Sequence, residues 1–463
     1  MNGIINNLQQ RYSGRDLRLK LRPMVIIVVL VGSLVFGRRA SLELIILVIG
    51  AIAALVFMRV PMLAIFPLVL GAFVVRYELG TGTQSSINLP MILVALLLGL
   101  WFMDMLVQQR RIYLYPSRVI PPLIALSIVA VLAFIAGQLP WFAFASQVSL
   151  TAQIGGLGLF LLSTGTFLWV SQHISDLKWL RWLVWLFLGI GGVYIVGNLL
   201  VGVAIGRIIV PDATGSMFWT WLTTMSASQA IFNKQLKPRE RFLVGLLTFL
   251  ILLAGWRNRQ WASGWAPAVV ALIVVVFFVN WRVGIFVAIF LGITFIFLIP
   301  ETAQEFFSRD QYSLFTRQEA WRILMQQIVR VSPILGLGPA NYYNYTPLFP
   351  ILGYSVRFNS HNQYVDLIAQ TGFLGLIMYL WFAFEVGWLG WKLKDRAAPG
   401  FEKAYVIGVL GGLAGTLVSG LLGDWVIPFV YNIGMTGFRA SMFAWLFLGG
   451  LLVIERLVNQ RAT

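Results

Sequence analysis

Apolar stretches of roughly 16 to 22 residues recur along this chain from Pro23 to Ile454, and about 20 such residues are what a helix needs to cross a hydrocarbon core. Lipid offers no partner for backbone N–H and C=O groups, so a chain patterned this way has to satisfy them within helices. The spans read as 24–36, 42–58, 60–75, 88–106, 119–137, 152–171, 182–201, 217–233, 241–256, 264–280, 283–299, 363–390, 404–422 and 438–455. The expected fold is an all-α polytopic integral membrane protein. It has about 12 to 14 transmembrane helices, the lower count applying if the early hairpin is re-entrant. Composition agrees, since 59% of residues are hydrophobic and 11% charged, against roughly 25% charged in soluble domains. The basic residues 11–22 precede the apolar run Met24–Phe36 with no small-residue cleavage site after it, which reads as a retained first helix.

The net charge is +17, which in a soluble protein would suggest nucleic acid; here basic loops orient membrane helices, and no nucleic-acid partner is expected. With the N-terminus in the cytoplasm, every lysine (Lys20, Lys178, Lys234, Lys237, Lys392, Lys394, Lys403) falls on the cytoplasmic side. The span 217–233 carries Thr, Ser and Gln and is the weakest. Without it, Lys234 and Lys237 would move outside. The cations left outside are all arginines, among them Arg257, Arg259, Arg309, Arg317, Arg330, Arg357 and Arg439. A planar guanidinium fits phosphate oxygens well, although contact with lipid headgroups would explain the same bias. There is no cysteine, which excludes disulfides, thiolate metal sites and a cysteine nucleophile.

The chain divides into helices over 1–299, a long outer loop over 300–360 and helices again over 361–463, all within one membrane domain. The loop is rich in Phe, Tyr, Trp, Leu and Ile, so it should fold against the membrane surface. Thr316-x-x-Glu319 reads as a capping box that would start a helix at Arg317, with Trp321, Leu324 and Ile328 on its apolar face. Arg317 would then sit in the first turn, a favourable place for an anion, though an ordinary surface arginine fits the spacing too. Ser360-x-x-Gln363 repeats the pattern and would start the next helix at His361. A histidine there, near several arginines, is biased toward the neutral imidazole that a general base requires. His173, the other histidine, reads as solvated surface; Asp366, one turn after His361, is placed to face the site. Arg257 and Arg259, in Trp256-Arg257-Asn258-Arg259-Gln260-Trp261, fit either a pyrophosphate clamp or an interfacial hairpin.

No Asp-x-Asp pair, no His/Glu cluster at metal spacing and no Walker A sequence occurs, so no metal and no cofactor is expected.

Three pieces in order resemble the O-antigen ligase and O-antigen polymerase superfamily: Trp256-Arg257-Asn258-Arg259; Arg317-x-x-x-Trp321 with Pro333 and Gly336-Leu337-Gly338; and Ser360-His361-Asn362 followed by Gly372-Phe373-Leu374-Gly375. They cover about residues 256–376. Trp256 stands where the family has a serine, and two arginines stand where it has one. The resemblance implies a GT-C-like glycosyltransferase of the bacterial inner membrane with cytoplasmic termini and a periplasmic loop. Such an enzyme takes a glycan from an undecaprenyl-type polyprenyl pyrophosphate carrier and passes it to a hydroxyl of a glycan or lipid A-core acceptor, without metal. His361 would be the catalytic base. Arg317 with Arg257 or Arg259 would bind pyrophosphate, and Asn362, Ser360, Trp321 and Gly338 would support the site. Rival readings are a peptidoglycan-type glycan polymerase, which would want an outer acid such as Asp310 or Glu319, and a lipid-linked oligosaccharide flippase. The latter should show two related halves rather than one dominant loop.

Overall fold

The computed structural model describes residues 42–81, 85–200, 208–257, 261–293 and 311–462. The span 24–36, Lys20, Arg259, Arg309 and the first part of the long loop lie outside the described residues. Helix α1 (Leu42–Arg59) belongs to one compact unit, and everything from Val60 onward to a second. The second unit is an all-α bundle. In chain order it holds α2 (Ile65–Phe73), α3 (Leu89–Met103), α4 (Ile120–Ala136), α5 (Leu150–His173), α6 (Leu177–Leu200), α7 (Ser216–Phe232), α8 (Pro238–Arg257), α9 (Ala262–Phe277) and α10 (Trp281–Ile293). After the long loop come α11 (Gln311–Ile323), the single turn α12 (Tyr342–Tyr345), α13 (Gln363–Leu393), α14 (Phe401–Leu422) and α15 (Phe438–Ala462). Each expected span within the described residues is a helix, and six are long and apolar enough to cross a membrane, among them α5, α6, α13 and α14. The chain is a multi-pass membrane protein. One small departure from all-α is the hairpin β1 (Glu78–Gly80) and β2 (Ser86–Asn88), antiparallel with Glu78 opposite Asn88.

The polar helix α7 lies at the centre of the bundle, its residues from Ser216 to Gln229 buried. Its hydroxyls meet protein rather than lipid: Thr224 Oγ1 donates to Gly408 O at 2.8 Å, and Thr248 Oγ1 donates to Ser226 Oγ at 2.9 Å. Helix α14 packs into the groove between α7 and α9 because its face is made of glycines. A Cβ on Gly411 would stand 2.7 Å from Ala271 O, and one on Gly415 would stand 2.8 Å from Pro267 O. Small residues that let backbones approach are the usual basis of packing where lipid removes the hydrophobic drive.

Arg439 is not an outer-surface cation as the sequence suggested. It is fully buried in the first turn of α15. Its Nη1 donates to Gly71 O, Ala72 O and Val75 O at 2.9, 3.2 and 2.9 Å, and Nη2 lies 3.6 Å from Glu78 Oε1. The guanidinium closes the C-terminal end of α2, where unpaired carbonyls and the negative end of the dipole favour a cation. His173 likewise is half-buried rather than solvated. Helix α5 runs far enough to seat its ring between Trp101 and Trp169, at centroid distances of 5.3 and 5.6 Å.

Lysine-bearing segments converge at one end of the bundle. Arg181, beside Lys178, donates to Gln235 at 3.4 Å, and Gln235 donates to Pro399 O at 3.2 Å, between Lys394 and Lys403. Helix α13 runs from the turn that carries His361 to Leu393, which puts His361 at the opposite end of α13 from those lysine-bearing turns.

Candidate functional site

Both capping boxes read from the sequence are displaced. Helix α11 is already helical at Gln311, so Thr316 is internal and Arg317 is not in a first turn. No proline or glycine lies between Gln311 and Thr316 to stop the helix from starting earlier. Glu319 pairs forward with Arg322 at 2.6 Å. Before α13 the cap is Asn362, whose Oδ1 accepts from Tyr364 N at 2.9 Å and Val365 N at 3.2 Å. His361 therefore precedes the helix, in the left-handed region at φ 48. Histidine tolerates that region at a modest cost, and here Asn359 Oδ1 accepts from His361 N at 3.2 Å.

The residues around His361 are held from three directions. Trp321 Nε1, on α11, donates to Ser360 O at 2.7 Å, which ties the arginine-bearing helix to the histidine turn. Ser360 Oγ accepts from Asn362 N at 3.0 Å and lies 2.8 Å from Asp366 Oδ1. Asp366 is fully buried and accepts a second, short hydrogen bond from Tyr342 OH, while its Oδ2 has no partner among the described residues. From the third side comes the loop between α14 and α15. Gln363 Oε1 accepts from Val426 N at 3.1 Å and Ile427 N at 2.8 Å, and Asn362 Nδ2 donates to Leu421 O at 3.3 Å. Phe429 stacks on Tyr342 at 4.7 Å and Tyr431 on Tyr343 at 4.5 Å. Asp424 organises this loop by accepting from Phe429 N at 2.6 Å, and burial pushes its carboxyl up to about 6.

The glycine turn after α11 closes the arrangement through the backbone. Helix α13 breaks at Gly372, φ 70, which would strand two carbonyls and two amides. Leu337 N and Gly338 N donate to Ala369 O and Gln370 O, both at 3.0 Å, and Phe373 N and Leu374 N donate to Pro333 O and Ile334 O at 2.8 and 3.3 Å. The loop thus supplies the partners that a broken membrane helix needs. Approach this close requires glycine: a Cβ on Gly372 would lie 2.0 Å from Ile334 O, and one on Gly338 would lie 2.8 Å from Gly137 Cα.

Burial, and secondarily the charge of Arg317, lower the His361 imidazole to about 4, so it is neutral at neutral pH. Arg317 is half-buried and has no carboxylate partner among the described residues. A neutral imidazole beside a guanidinium that has no carboxylate partner among the described residues can accept a proton and hold an anion at one place. Arg257 stands at the same end of the bundle, exposed, and donates to Leu199 O at 3.2 Å. Four residues later Trp261 meets Trp425 at 5.7 Å, next to the loop that caps Gln363. The structure brings together His361, Arg317, Trp321, Ser360 and Asn362; Gly338 lies instead at the helix break, bonded to Gln370 O, and Arg257 bonds Leu199 O rather than any of them. Tyr342 and Asp424 had no signature in the sequence, and Gln363 was read only as part of a capping box, because its actual partners, Val426 N and Ile427 N, lie more than sixty residues on.

The site lies where residues 311–362 meet the start of α13 and the α14–α15 loop of a multi-pass bundle. Residues 239–380, a stretch that includes Arg257, Arg317 and His361, match the Wzy_C family model, described as O-antigen ligase, which supports the resemblance to the O-antigen ligase superfamily. No curated protein matches the sequence. The domain supports a glycan-transferring role in polysaccharide assembly.

Proposed function

We propose that the protein is a glycosyltransferase that moves a glycan from a polyprenyl pyrophosphate carrier to an acceptor hydroxyl. The observation that carries this reading is the neutral His361 held beside the Arg317 charge within the stretch that matches the O-antigen ligase family model. His361 takes the acceptor's proton as the acceptor oxygen attacks the anomeric carbon. The bond from that carbon to the carrier pyrophosphate breaks, and the pyrophosphate leaves with its charge on Arg317 and on Arg257 or Arg259. Burial, and then the Arg317 charge, depress the imidazole. A bound pyrophosphate offsets the arginine charge and makes His361 a better base when the donor is present. Ser360, Asn362 and Trp321 fix the turn that carries the ring, and Gly338 seats the loop on the helix break. The acceptor is another carrier-linked glycan in a polymerase, or a lipid A core in a ligase. The lysine-rich end faces the cytoplasm, and the His361 end faces the periplasm.

The test is a reaction of purified protein with polyprenyl-pyrophosphate oligosaccharide and each acceptor class in excess chelator. A ladder of lengthened glycans identifies a polymerase, and a single addition to lipid A core identifies a ligase. Unaltered donor that instead crosses the vesicle bilayer contradicts the transferase and fits a flippase.

A further inference from the structure

At the end of the bundle remote from His361, the α9–α10 turn and the α13–α14 turn line an open cavity of about 470 Å³. Arg282, Lys394 and Lys403 line it against a single acid, Asp395, which pairs with Lys394. Two exposed tryptophans hold cations at its mouth: Arg282 lies over Trp281 at 5.4 Å, and Lys394 lies over Trp391 at 4.4 Å. Trp391 also lines a second hollow, of about 510 Å³, between α13 and α14. That hollow is apolar, with Leu380, Phe384 and Trp388 on its walls, and these side chains are 45%, 64% and 43% exposed. A basic cavity at the membrane surface that continues through one tryptophan into an apolar groove has two chemistries end to end. Cations recognise a phosphate, and the groove receives a hydrocarbon chain.

We propose that this is a site for an anionic phospholipid of the bilayer, its headgroup phosphate among Arg282, Lys394 and Lys403 and an acyl chain along α13 and α14. The site stands apart from the glycan chemistry, at the other end of α13, and does not depend on it. Charge complementarity selects the occupant, because the lining carries three cations and one acid, and a zwitterionic headgroup would bring its own cation into that field.

Native mass spectrometry of the full-length protein, offered equal phosphatidylglycerol and phosphatidylcholine with matched chains, tests this. Wild type should retain phosphatidylglycerol selectively. The triple variant Arg282→Gln, Lys394→Gln, Lys403→Gln should lose at least tenfold of that binding, and Arg282→Glu alone, at an exposed position, at least threefold. Glycerol phosphate, a headgroup without chains, should not displace the lipid. Equal retention of both lipids by wild type, undiminished binding by folded variants, or displacement by glycerol phosphate would each overturn the proposal.

Discussion

At the scale of single residues, the account rests on how a histidine is kept neutral. The chain has two histidines, so a titration of isotope-labelled histidine in the whole protein, with His173→Gln to assign the signals, reads His361 directly. It should titrate at about 4, and Arg317→Gln should move it upward by removing the second of the two causes that depress it. The base form exists above the folded value, so kcat/KM should be insensitive to His361 from neutral pH down to near 5 and fall as pH drops through about 4. Tyr342→Phe removes one of the two hydroxyls on buried Asp366 and should cost about 1–3 kcal/mol of stability, measured by denaturation in detergent. His361 was legible as a lone histidine at a loop-to-helix junction, and Asp366 as a carboxylate one turn later. Tyr342 was not, because its meaning lies in a partner 24 residues away and in Phe429 stacked on it. Arg439 was misread because charge placement cannot distinguish a cation facing solvent from one closing a helix end inside the bundle.

At the scale of elements, hydropathy placed the helices well, since a run of apolar residues long enough to cross lipid has few alternatives. Even α7 was retained on lysine placement, and three of its polar side chains, Ser216, Thr224 and Ser226, turned out to bond neighbouring helices. Capping was less legible. Two S/T-x-x-E/Q patterns suggested helix starts at 317 and 361, yet α11 includes Gln311 and α13 is capped by Asn362. Glu319 takes an arginine on its own helix as partner, and Ser360 has turned toward Asp366, so neither side chain does what the pattern implies. The break at Gly372 was also invisible beyond a glycine within an apolar run. Its consequence is testable: Gly372→Ala places a Cβ 2.0 Å from Ile334 O at a positive φ and should destabilise by more than about 2 kcal/mol. Thermal unfolding in detergent measures the loss, and a fall in Arg317-dependent activity should accompany it, because the same loop seats the site.

For the whole molecule, the sequence indicated two chemically distinct ends, and the structure gathers lysine-bearing turns at one and His361 at the other. The absence of cysteine makes the orientation simple to test. In intact spheroplasts, Arg357→Cys should react with an impermeant maleimide and Lys237→Cys should not until the membrane is opened; the reverse pattern would invert the topology. The family match spans α8 to the first part of α13, so it takes in Arg257, Arg317 and His361 but not the α14–α15 loop that braces Gln363. That loop had to come from the fold. The central claim is that His361 removes the acceptor proton in glycan transfer. Its most direct test is the single-turnover rate of transfer from a polyprenyl-pyrophosphate donor by reconstituted His361→Gln, with unfolding temperature matched to wild type. The account predicts a loss of about 10²–10⁴-fold with donor binding retained. A folded His361→Gln that transfers glycan at the wild-type rate would contradict it.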